Sequence, residues 1–283
     1  MAESSNSITE KVRDWLKSQG YPLEMSVARA FRRVDANVQQ SSYYLDPETD
    51  KSREIDVRAK WYRFHETMWG QIDLQVFFLI ACKSQQKNPW ILFSSEPKKK
   101  NAFVRLPASP HGRMLLDWFR ADKTKSIIDI SDHVSYGITQ AFTSGKDLPY
   151  EAVMSAAKAA VAEIVYHNRL HELYKDKFDK DFEISLDSVI AIPIVVTDAP
   201  LFDCYLTEDD SLILDKIESG ILEWHYLLDD NASHFGTPVY ICSDQSLDDL
   251  ANYAKNLESQ LYEFLPTFLN KIRERLKNNE KGT

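Results

Sequence analysis

The sequence predicts an α/β fold on three observations. Apolar residues at helical spacing near the N-terminus give way to three segments that alternate with a period of two. An alanine-rich helical stretch, residues 150–174, follows. A continuous apolar run over 189–196 then reads as a strand buried on both faces.

Each element has its own signal. Ser7-Ile8-Thr9-Glu10 has capping-box spacing, and Ile8, Val12, Trp15 and Leu16 continue at helical spacing until Gly20 ends the run. Pro22 suits the first turn of a second helix, in which Leu23, Val27, Ala30 and Val34 form one apolar line and Glu24, Ala28 and Phe31 the next. Strands are expected over 38–45, 53–62 and 73–83, with Asp46-Pro47-Glu48-Thr49-Asp50 turning the first into the second, so the three read as an antiparallel meander. In the second strand Ile55, Val57, Ala59 and Trp61 are expected on one face and Asp56, Arg58 and Lys60 on the other. Lys83 is the charged tip of an otherwise apolar third strand.

Asn88-Pro89 turns the chain into a strand over 90–95, and Glu96-Pro97-Lys98-Lys99-Lys100 reads as an exposed loop. Within 101–150 a short helix over 114–119 and a short strand at Ile127, Ile128 and Ile130 are expected. Beyond residue 200 come strands over 201–206 and 212–214, a short helix near 217–222, a strand over 239–242 and a helix from about 247 to 276. The chain is expected to form one elaborated domain: a core over about 20–95 and 150–197, an insertion over 96–149, and an acidic C-terminal extension over 198–283.

Composition excludes several classes. With 283 residues, 43% hydrophobic and 27% charged, the chain can bury a sizeable core. Its longest apolar runs, of about nine residues, fall far short of the roughly 20 that span a bilayer. The polar start, without an apolar stretch of signal-peptide type, leads to the expectation of a cytoplasmic protein. Cys82, Cys204 and Cys242 are odd in number and far apart, so neither a disulfide framework nor a thiolate zinc site is indicated. No nucleophile-elbow, P-loop, dinucleotide-fingerprint or HExxH pattern occurs.

The net charge of -9 is unevenly placed. Residues 1–150 carry 22 Lys and Arg against 18 Asp and Glu, whereas 151–283 carry 12 against 25. A polyanion would therefore have to dock on the N-terminal half, and the acidic part would face away from it or meet a basic partner.

The polar residues set on these elements carry the chemistry. Glu24 lies beside the buried stripe of the second helix, where an unpaired carboxylate is costly. Its plainer reading is an ion pair with Arg29, Arg32 or Arg33, and its functional reading is a site carboxylate. The spacing of Arg53-Glu54-Ile55-Asp56-Val57, then Ile80-Ala81-Cys82-Lys83-Ser84, then Pro89-Trp90 resembles the PD-(D/E)xK, or restriction-endonuclease-like, nuclease superfamily.

That resemblance implies an αβββαβ core with a mixed central sheet flanked by helices, and hydrolysis of phosphodiester bonds assisted by Mg²⁺ or Mn²⁺. DNA is the expected substrate, and restriction or antiphage defence the expected setting. By position, it implies Asp56 as a metal ligand, Glu24 as a further carboxylate, the Cys82 carbonyl as a backbone ligand and Lys83 as the water-activating or charge-stabilising cation. Acidic overall charge fits weak unaided DNA binding, with a partner protein or a homo-oligomer adding basic surface. No membrane partner is implied.

One position departs from the pattern. The acid two residues before Lys83 is replaced by Ala81, which deprives the metal and catalytic site of a carboxylate, so this chain is expected to be inactive. A natural loss, migration of the acid to Glu24 or Asp73, and replacement of an acid by alanine are the alternatives, and the intact surroundings of Ala81 favour the last. A non-catalytic nuclease-fold module that binds nucleic acid or a protein is the competing function. A structural or regulatory α/β protein without metal binding is a third.

Other candidates carry less. His167 and His171, at i and i+4 of a helix, could share a metal but lack an obvious third ligand. Asp198 and Asp203 follow the fourth core strand and could border a cleft, with turn and cap roles explaining them equally well.

Overall fold

The computed structural model describes residues 2–84, 87–95, 106–123, 131, 133–143, 145, 147–174, 183–224 and 237–280. Two helices, α1 (Ala2–Ser18) and α2 (Tyr21–Arg33), precede β1 (Asn37–Leu45), β2 (Ser52–Glu66) and β3 (Gly70–Lys83). Next come β4 (Trp90–Phe93), α3 (Pro110–Lys123), β5 (Val134–Ser135), β6 (Gly137–Gln140) and the long α4 (Leu148–Tyr174). The chain ends with β7 (Ile184–Thr197), β8 (Leu201–Leu206), β9 (Leu212–Ile217), β10 (Ser219–Trp224), β11 (Thr237–Ser243) and α5 (Leu247–Glu280).

A mixed seven-stranded sheet in the order β1-β2-β3-β7-β11-β10-β5 forms the centre, and helices flank it. β1, β2 and β3 are the expected antiparallel meander. The turn at its start is held by Asp46, whose buried carboxylate accepts the backbone N–H groups of Glu48 and Thr49. After α4 the chain returns as β7, which pairs parallel with β3 from Gly70 opposite Ile184 to Lys83 opposite Thr197. β11 pairs parallel with the other side of β7, up to Ser243 opposite Thr197. The C-terminal ends of β3, β7 and β11 therefore share one edge of the sheet, where ligand sites of open parallel sheets form.

Alternation explains the layers. Ile72, Leu74, Val76, Phe78 and Ile80 of β3 pack beneath α2, α3 and α5, together with Ile190, Ile192 and Ile194 of β7. Phe77, Leu79 and Ala81 point to the opposite face with Val189, Ala191 and Val195, where α4 packs through Ala152, Ala156 and Ala160. A second, four-stranded sheet in the order β6-β4-β8-β9 adds Trp90, Leu92 and Leu201 to this second layer. β4 pairs with β6 and β8 across long sequence gaps, so β4, read from the sequence as a strand, gave no sign of belonging to a separate sheet.

Several expectations are corrected. α1 begins at Ala2, so Ser7 lies inside the helix and does not cap it. Its apolar line is on the surface, with Trp15 54% exposed. Residues 217–222 are strand: Gly220 is a poor helix former, and Ser219 to Trp224 pair antiparallel with β11. Ile55 belongs to the layer beneath α4, whereas Val57, Ala59 and Trp61 belong to the layer beneath α2 and α5. The change of face falls at Asp56, opposite Ser41, whose φ of 50° breaks the extended course of β1. The expected helix at 114–119 is α3, extended at both ends. The strand at Ile127, Ile128 and Ile130 and the lysine run at 98–100 lie outside the described residues. Among the described residues no helix is long and apolar enough to cross a membrane.

Candidate functional site

Glu24, Glu54, Asp56, Cys82 and Lys83 meet at the shared C-terminal edge of the parallel strands. α2 supplies Glu24 from its first turn, and that turn is held close by Gly20, whose φ of 83° is the left-handed region suited to glycine. A Cβ on Gly20 would stand 3.4 Å from the Cβ of Ser84, so the start of α2 abuts the residue that follows Lys83.

β2 supplies Glu54 and Asp56 from alternate positions of one strand. The pairing of β2 with β3 runs as far as Val57 opposite Ile80. That ladder ends one residue short of Asp56 and Ala81. The backbone N–H of Cys82 donates to Asp56 Oδ2 at 2.6 Å. In an extended residue the N–H and C=O point toward the same neighbouring strand, so the Cys82 carbonyl is directed to the Asp56 side as well.

Electrostatics confirm the convergence. Burial, together with the negative charges of Asp56 and Glu54, raises the Glu24 carboxyl from 4.5 to about 7, and Lys83 opposes the rise. Asp56 is raised by burial, against the N–H of Cys82 and the charge of Lys83, while Glu54 adds to the rise. The cation that Glu24 meets is thus Lys83. The expected alternative pairing with an α2 arginine does not occur: Arg32 donates to Gln40, and Arg33 approaches Asp248. The Cys82 thiol is held well above its ordinary range by burial and by Asp56 and Glu24.

Ala81 is 1% exposed and packs with Ile55, Leu79 and the alanines of α4. Asp73 is eight residues before Ala81 along β3, paired in register with Phe64 and bonded by Tyr62, so the missing acid has not migrated there. Glu24 does reach the site.

The donor set was tested against a divalent cation. Mg²⁺ is commonly held by one or two carboxylates together with water and substrate phosphates, and Glu24 and Asp56 meet that minimum. Their mutual repulsion is what a cation between them would relieve. Among the described residues, however, no group of three His, Cys, Asp or Glu side chains is arranged to hold a metal ion. The described residues thus offer a cation two carboxylates, Glu24 and Asp56, and no complete protein ligand set.

The remaining candidates separate. His167 Nε2 lies 3.2 Å from Glu163 Oε1, and His171 stacks edge-on against His111, so the two histidines serve different neighbours. Asp198 accepts the Ser84 hydroxyl at 2.6 Å and borders the site through the residue next to Lys83. Asp203 is neither a turn nor a cap residue. It is fully buried on β8 and accepts Ser94 Oγ and His133 Nδ1.

The sequence reading assigned no role to Glu54, although its two-residue offset from Asp56 placed it on the same side of the strand. It also missed the buried pair in which Arg58 donates to both carboxylate oxygens of Glu163, because those partners are 105 residues apart. No family model, curated protein or solved structure matches this chain.

Proposed function

We propose that the edge carrying Glu24, Asp56 and Lys83 is a metal-dependent phosphodiester-hydrolysing site of PD-(D/E)xK type, with DNA as its expected substrate and one carboxylate missing at Ala81. The observation that carries this reading is the convergence of two carboxylates and one lysine from a helix and two adjacent strands: Asp56 and Lys83 both act electrostatically on Glu24, and the Cys82 N–H beside Lys83 holds Asp56.

A bound Mg²⁺ or Mn²⁺ supplies polarisation of the phosphate and acidification of water. Asp56 and Glu24 would hold it, with the Cys82 carbonyl alongside. The Lys83 ammonium offsets negative charge gathering on the phosphoryl oxygens and orients water between itself and the carboxylates. The Cys82 N–H fixes Asp56 in place. An acid at position 81 would stand across the strands from Asp56, so its absence removes a ligand from the pair and leaves the present chain inactive or nearly so. Restriction or antiphage defence is the setting that fits such an activity.

A second reading is a non-catalytic module of the same fold that binds nucleic acid or a protein partner. The packing of Ala81 among apolar side chains, with no third ligand, favours it. The two are separated by assaying Mg²⁺- and Mn²⁺-dependent cleavage of plasmid, linear and single-stranded DNA and of RNA with the present chain, Ala81→Glu, and Ala81→Glu combined with Lys83→Ala. Cleavage that appears with the acid and disappears with the lysine supports the nuclease. Silence from a folded Ala81→Glu variant on every substrate supports the module.

A further inference from the structure

We propose that the outward face of α2 is a binding surface for a nucleic-acid phosphate backbone, with Arg29, Arg32 and Arg33 as its cations, leading a strand to the Glu24 edge. This rests on the phosphodiester reading of that edge, and extends it by placing the path of the substrate.

The helix divides cleanly. Leu23, Val27, Ala28, Ala30 and Phe31 are buried against the sheet. Arg29, Arg32 and Arg33 recur with Met25 and Ser26 on the opposite side and, with Gln40 of β1, line an open cleft of about 620 Å³ that begins at Pro22, two residues before Glu24. No acidic side chain lines it. From Glu24 to Arg33 the helix rises about 13 Å, a length that covers about four nucleotides of one strand at 3.4 Å each.

The arginines keep their charge available. Arg32 Nη2 donates to the neutral Gln40 Oε1 at 3.0 Å. Arg33 stands 3.6 Å from Asp248 with both side chains largely exposed, a contact worth little in water. Among the described residues Arg29 has no carboxylate partner. A purely helical role, basic groups against the negative end of the dipole, accounts for Arg32 and Arg33 in the last turn. It does not account for Arg29 a turn earlier, nor for a cleft free of acids between the helix and β1. Ser26, Arg29 and Arg33 also border a smaller recess on the α5 side of α2, where Asp244 and Asp248 stand; those carboxylates repel a polyanion there and turn it toward the β1 side, where no acid lines the cleft.

The test is fluorescence anisotropy of a fluorescein-labelled 20-mer, single-stranded and duplex, with the full chain in EDTA between 50 and 200 mM KCl. Salt-sensitive binding is expected. Arg29→Ala with Arg32→Ala should weaken it at least tenfold and flatten the dependence of log affinity on log salt by about 1.4 for a single strand or about 1.8 for a duplex. Arg29→Lys with Arg32→Lys should retain most of the affinity, since a lysine still meets phosphate as a point charge. The residues are on the surface, and circular dichroism should show the alanine variant as stable as the parent.

Absence of binding by the parent, or an alanine variant with unchanged affinity and slope, overturns the proposal. So does retention on phosphatidylserine vesicles without affinity for either oligonucleotide. Because the measurement needs neither metal nor cleavage, a silent Ala81→Glu variant refutes the nuclease and leaves the arginine surface standing. Arginine-independent binding beside active cleavage refutes the surface alone.

Discussion

Glu24 on α2 is set against Asp56 of β2 across a half-buried junction of helix and sheet that also holds Lys83, and burial, then the charge of Asp56, raises its proton affinity. In the folded chain the Glu24 carboxyl is half ionised only at about pH 7, whereas in the unfolded chain it reaches that point at about 4.5. The folded state thus binds more protons in that window, and this group's contribution to stability declines as pH rises from about 4.5 through about 7, then levels off.

Glu24→Gln keeps the shape and removes the charge. Its thermal midpoint should exceed that of the parent at pH 8 and match it at pH 5, read by circular dichroism. Equal midpoints at both pH values would show that the ionised Glu24 carries no penalty from burial or from Asp56.

The convergence of Glu24, Asp56 and Lys83 was legible because each is a charged residue set in an otherwise apolar pattern. Glu24 is charged beside an apolar helical stripe, Asp56 is an acid in a period-two strand, and Lys83 is the one charged residue at the end of a run that is apolar from Val76. Each anomaly is local, and the meander and α4 place them together. What escaped was set by contacts distant in sequence. The strand character of 219–224 depends on β11, and the role of Asp203 depends on Ser94 and His133. The reversal of Ile55 depends on backbone geometry at Ser41, which carries no compositional mark. Ala81 stands out in the sequence as a departure from the PD-(D/E)xK pattern that its neighbours resemble, but nothing in the sequence shows that its side chain is sealed beneath α4.

The Arg58–Glu163 pair ties β2 to α4 in the layer below the site, with side chains 18% and 11% exposed. Burial pushes the Glu163 carboxyl up, but bonds from His167 and Arg58 outweigh it and hold the group down at about 2. Removing one member of a mostly buried pair strands the other, so Glu163→Ala should lose about 3 kcal/mol at pH 7. The native stabilisation is fully present above the ordinary carboxylate value of 4.5 and lost progressively as pH falls to about 2. The gap between parent and variant in urea denaturation should therefore shrink at pH 3. A gap that stays constant from pH 7 to pH 3 would mean that the carboxylate charge is not what the alanine variant loses.

α3 comes close to the central sheet at Gly112. A Cβ there would fall 2.3 Å from the carbonyl oxygen of Val189 on β7, and both partners are backbone. Ser109 fixes the approach: its N–H donates to Val189 O, and its hydroxyl accepts the N–H groups of both Val189 and Gly112. Alanine is the better helix former by about 1 kcal/mol, so propensity alone predicts that Gly112→Ala stabilises. Contact geometry predicts the opposite, because α3 must back away from β7 and stretch the Ser109 bonds, at a cost of about 2 to 3 kcal/mol that outweighs the gain. Gly137→Ala is the control, since its Cβ would meet only Phe93 Cδ2, at an ordinary 3.6 Å. Urea midpoints of both variants measure the difference. The Gly112 variant should unfold at distinctly lower urea while the control shifts little, and a Gly112→Ala chain more stable than the parent would show that α3 does not lie this close to the sheet.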